Sequence, residues 1–174
     1  MRLTRLLAVA AAGAAAAAMV VASPANASDS TATFAVSAGA LTVAVPATAD
    51  LGTGAPGTTI TGSLGAVTVT DLRGANPSAW TATVSSTAFT GTGVTTTIPA
   101  SDVTYTPGVT TATSGDGTFT AGTAGTLSGT AITAYTHATG TGSNSATWNP
   151  SLAIAVPATA TAVTYTGTVT HLVA

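Results

Sequence analysis

Asp71 and Arg73 stand two residues apart in the run Val67-Thr-Val-Thr-Asp71-Leu-Arg73-Gly-Ala-Asn76-Pro77-Ser-Ala-Trp80. Arg73 is the only cation beyond Arg5, and the chain has no Lys, Glu or Cys. In strict alternation the acid and the base continue the apolar face of Val67 and Val69. Charges on an inward face need a partner. A structural ion pair tying the turn to the end of the strands is therefore the first expectation, and a ligand-facing pair beside Trp80 is the alternative. Trp148 follows a Gly/Ser/Asn loop and precedes Asn149-Pro150, a context that predicts a surface rim. An exposed indole among hydroxyls and amides covers the C–H face of a sugar while its neighbours take the hydroxyls. A core anchor is the competing role for each indole.

Bond-making chemistry finds little support. His137 and His171 are the only histidines, no Gly-x-Ser-x-Gly elbow occurs, and the five Asp are dispersed. Neither a nucleophile triad nor a paired-carboxylate cleft is spelled out. Ca²⁺-loop spacing is missing too, so no metal or other cofactor is expected. His137 falls in a Gly/Ser/Thr stretch and is expected to be solvated. His171 stands alone on an apolar strand face, as a core or rim histidine that also borders the candidate binding surface.

The surrounding elements must hold these residues. Residues 1–27 have the form of an export leader. Arg2 and Arg5 precede an apolar run over 6–22, and Ala25-Asn-Ala27 is a small-residue cleavage site. Cleavage would leave residues 28–174 with one Arg against five Asp, a formal charge of −4. Such a surface does not grip phosphates, which argues against nucleic acid and anionic membrane as partners. Solubility falls to hydroxyls, and the 40 Thr of the full chain, all but Thr4 beyond residue 27, supply them while favouring strands.

Alternation predicts strands over 34–36, 41–45, 64–70, 80–85, 130–135, 152–156 and, most regularly, 163–173, and Ile98-Pro99, Val103-Thr-Tyr105 and Phe119 mark further short strands. Residues 50–63 read as a loop and 107–130 as a low-complexity surface excursion. No stretch after the leader has a capped helical period. The expected fold is all-β, an antiparallel sandwich of Greek-key type in one domain. Its last strand is expected in the interior, because so smooth an edge invites aggregation.

Three runs, in order, resemble the WxL domain, a Gram-positive surface module that binds the cell wall non-covalently. They are Gly39-Ala-Leu41-Thr-Val-Ala-Val45-Pro46, Val69-Thr-Asp71-Leu-Arg73-Gly74 before Trp80, and Trp148 through Leu152-Ala-Ile-Ala-Val156-Pro157 to Tyr165-Thr-Gly-Thr-Val169-Thr-His-Leu-Val173. The first Trp-x-Leu is Trp80-Thr81-Ala82 here, and the second aligns with His171-Leu172-Val173, without its Trp. The resemblance implies a secreted, non-catalytic protein of the wall and extracellular surface. Trp80 and Trp148 would hold peptidoglycan or an attached polymer, with Asp71 and Arg73 fixing the loop. A subunit of an extracellular assembly, docking to another surface protein through sheet edges, is the rival expectation.

Overall fold

A computed structural model describes residues 30–174. The leader expected over 1–27 lies outside them. Val36–Ala174 form one compact unit. It is an all-β sandwich of antiparallel sheets, as its alternation predicts.

The first layer is three chain passages, each broken once. They are β2 (Thr59–Ser63) with β3 (Val67–Asp71), β7 (Val103–Thr106) with β8 (Thr110–Ser114), and β12 (Asn144–Trp148) with β13 (Ser151–Ala155). Adding β1 (Leu41–Ala44) and β10 (Gly125–Thr126), the two halves pair as β1-β3-β12-β8 and β10-β7-β13-β2. The breaks lie side by side. Leu64 N donates to Pro150 O, Ser63 Oγ donates to Asn149 Oδ1, and a Cβ on Gly108 (φ 75°) would collide with Asn149 O. Pro107 and Pro150 have no N–H to continue a ladder, which interrupts two of the three passages at this line.

The second layer repeats the plan. β4 (Ser78–Ser86) runs into β5 (Phe89–Gly91), and β14 (Tyr165–Thr166) runs into β15 (Val169–Val173). With β6 (Thr97–Ile98), β9 (Thr118–Ala121) and β11 (Ile132–Gly140), the sheets are β15-β4-β11-β9 and β14-β5-β6. At this break Thr87 N donates to Thr168 O, and Thr168 N to Thr87 Oγ1. A side chain at Gly167 would meet the Phe89 ring.

Four local expectations need correction. Residues 34–36 form no strand, and Phe34 and Val36 are 91% and 86% exposed. The loop over 50–63 ends in β2. The stretch 107–130 holds the strand marked by Phe119 as β9, and it also carries β8, β10 and the fully buried Leu127. Residues 163–173 are two strands, and β15 is an edge of its sheet, with β1 lying against it. Each miss depends on which strand lies alongside, a non-local fact that a period of two does not contain.

Candidate functional site

The five residues singled out by sequence fall into two interior groups. At the Asp71 end, the carboxylate is fully buried and accepts four hydrogen bonds. Arg73 N (3.0 Å) and Nε (2.9 Å) reach Oδ1, while Arg73 Nη2 (2.8 Å) and Ser78 Oγ (3.2 Å) reach Oδ2. Arg73 Nη2 also donates to Ala79 O. Asn144 Nδ2 donates to Ser78 Oγ, and Trp80 Nε1 donates to Asn144 Oδ1 at 2.7 Å. The result is a clasp that joins the turn after β3 to β4 and β12. The Arg73 guanidinium and the further donors hold the Asp71 carboxyl down at about 2, and Asp71 raises Arg73 in return. This is the structural ion pair expected from alternation.

The second group surrounds Tyr105. Its hydroxyl accepts from Trp148 Nε1 (3.1 Å) and lies 3.1 Å from His171 Nε2. Burial pushes His171 down to about 4 and Tyr105 up to about 12, so both are neutral at pH 7. With the indole donating, the network assigns the hydroxyl proton to His171 Nε2.

Ring contacts, stacked except for the tilted His137–Phe119 pair, join the two groups. Trp148 lies 4.7 Å from Tyr135, Tyr135 6.1 Å from Trp80, Trp80 5.7 Å from His137, and His137 4.4 Å from Phe119. Such pairs add about 0.5–1.5 kcal/mol each beyond area burial. This column links β12, β11, β4 and β9 through the interior of a chain that has no Cys.

The column corrects three expectations. Trp148 is fully buried and Trp80 is 3% exposed, so neither ring is a surface platform. Trp148 occupies an inward position of β12 with Asn144 and Ala146, and Trp80 an inward position of β4 with Ser78 and Ala82. His137 is not solvated: it is sealed in β11, and its Nε2 donates to Asp116 O. Its Nδ1 is the buried side-chain polar atom without a partner among the described residues. Asp116, whose carboxylate accepts from Thr141 N and Oγ1, titrates below the usual range for that reason. Tyr105 and Tyr135, candidate ring residues by type, are core members of this network, and Ser78 and Asn144 are the functional residues that sequence reasoning does not single out. Ser78 and Asn144 had a signal, two and four residues before an inward Trp. No group of three metal-type side chains forms among the described residues.

The accessible site lies at the opposite end, where β2 and β14 each pair on one side only. A groove of about 800 Å³ runs between them. Ile60, Phe89, Ile98 and Ile154 form its floor, and Val163 and Tyr165 one wall. Residues 49–54 form the other wall. Leu51 packs where a side chain at Gly62 would stand, and among the described residues the segment 46–54 makes no backbone–backbone hydrogen bond. Asp50 is the one charged residue in the lining, and its carboxylate is turned to Gly52 N. An adjoining cavity of about 360 Å³ shares Leu51, Phe89 and Gly167 and reaches His171. The Tyr165 hydroxyl is occupied, accepting from Thr161 N and donating to Thr161 O.

No protein-family model, curated protein or solved structure matches the chain.

Proposed function

We propose that this chain is an exported, non-catalytic subunit of a surface assembly, and that it docks an extended, uncharged segment of a surface protein in the groove between β2 and β14. The groove carries this reading. Its floor is apolar and mostly aliphatic, its lining holds one carboxylate, and a strand that pairs on one side only flanks it on either side. Those features suit β-strand addition, in which the main chain supplies affinity and pockets select side chains. The basic, apolar and small-residue order of residues 1–27 supports export.

A second reading keeps the non-covalent cell-wall association that the WxL resemblance implies. The hydroxyls of Thr161, Thr164 and Thr166 and the Asp50 carboxylate, all in the groove lining, favour it. On this reading peptidoglycan or an attached polymer contacts the groove rather than the sealed indoles. The one ring in the floor, Phe89, is buried at 7% exposure and the rest of the floor is aliphatic, a poorer sugar surface than an open ring, which places this reading second.

Retention on surfaces separates them. Cells bearing their surface proteins should retain the purified chain, sacculi stripped of protein should not, and Val163→Asp should weaken retention by about tenfold or more. Equal retention on stripped sacculi selects the wall-polymer reading. No retention on either overturns both.

A further inference from the structure

We infer that the segment seated in this groove is residues 31–38 of a second copy of the chain. The inference rests on the docking reading above and names its partner. The sequence Thr31-Ala-Thr-Phe34-Ala-Val36-Ser-Ala38 alternates as a strand, with Ala32, Phe34, Val36 and Ala38 on one face and Thr31, Thr33, Ala35 and Ser37 on the other. It contains no charge, Pro or Gly. Yet it forms no strand, and among the described residues 30–38 make no hydrogen bond; pairing begins with Gly39 N donating to Leu72 O. Phe34 and Val36 are the two most exposed large apolar side chains among the described residues. A strand-patterned segment holding an unburied Phe is an unmet demand for apolar cover and for main-chain partners.

The groove is the matching supply. It offers a mostly aliphatic floor, two one-sided strand edges, and one charged side chain, Asp50, whose carboxylate already accepts from Gly52 N. Eight extended residues span roughly 26 Å. Donor and acceptor are different surfaces, so the contact is heterologous. It propagates head to tail unless the rotation closes a ring.

Sedimentation velocity of the purified chain tests this. The wild type should form a concentration-dependent series of oligomers. The F34D/V36D variant, altered only in the exposed segment, and the V163D variant, altered at the groove wall, should each run as single copies. Mixed in equal amounts they should form pairs that do not extend, because one keeps the groove and the other keeps the strand. A synthetic peptide of residues 31–38 should bind F34D/V36D, and about tenfold or more weaker once V163D is added. A wild type that stays single at all concentrations overturns the inference, as does self-association untouched by F34D/V36D. A single-copy wild type with peptide binding confined to F34D/V36D means each chain fills its own groove, which also overturns it. If the wild type is single-copy while V163D still loses surface retention, the inference fails and the docking reading stands. If V163D changes neither, both fail.

Discussion

The two ends of this sandwich are built on opposite plans. At the Asp71 end the chain places its one cation beyond Arg5, a buried carboxylate, Ser78, Asn144 and an indole, and satisfies them against one another. At the β2–β14 end it places almost no charge, leaves strand edges unpaired, and lines a groove with aliphatic side chains. In a chain this short of charge, the most reactive-looking residues lock the fold, and the bland ones remain accessible. Chemical character alone therefore points to the wrong end of the molecule.

The largest expected effect is at the centre of the aromatic column. Trp148→Ala removes the stack on Tyr135 and the edge contact with His171, and it leaves the Tyr105 hydroxyl without its donor. It should lower stability by about 4 kcal/mol, read as a fall in the denaturant midpoint with loss of near-ultraviolet dichroism. Asp71→Ala should cost about 3 kcal/mol by the same measurement, the low end for breaking a buried pair, because Arg73 is a third exposed and can rehydrate. An Asp71→Ala variant of wild-type stability would show that the clasp holds nothing and would reopen this end as a ligand site.

Acid should dismantle the two regions in sequence. His171 borders the seam cavity and titrates at about 4 in the fold, against about 6.5 when unfolded. Below pH 6.5 the unfolded chain takes a proton that the folded chain refuses. Stability should thus fall by on the order of 3 kcal/mol as pH drops from about 6.5 to about 4. Asp71 sits at about 2 in the fold against 3.8, so a further loss on the order of 2 kcal/mol should follow between about pH 3.8 and 2. His171→Gln should flatten the upper slope alone, and Arg73→Gln the lower slope alone. A single undivided transition in His171→Gln and wild type alike would sink the assignment.

Sequence made the clasp largely legible because alternation is local. Val67, Val69 and Asp71 share a face by counting, and a buried acid demands the Arg two residues on. The same counting run backward from Trp80 and Trp148 reaches Ser78 and Asn144. What it did not supply was the fate of Trp148. A rim and a core end of β12 look alike until β3 and β8 are known to flank it. The stretch 107–130 was obscured because Thr serves either face of a strand, so a Thr/Gly run has no visible period. The groove was invisible for a deeper reason. It consists of what is missing beside β2 and β14, and an unpaired edge is a property of sheet order, not of any residue.

The smallest expected change in stability makes the sharpest test of the contrast. Val163 is 36% exposed on the groove wall, near Gly91 and without polar partners. An Asp there keeps its carboxylate in water, so Val163→Asp should move stability by no more than about 0.5 kcal/mol. Docking would nevertheless have to bury or displace that charge, a cost that falls on the bound state alone. The variant should therefore unfold like the wild type and yet lose retention, the reverse of the pattern expected at Asp71. A Val163→Asp chain that melts early would mean that the seam is part of the folding core and that the division between a locked end and an open one does not hold.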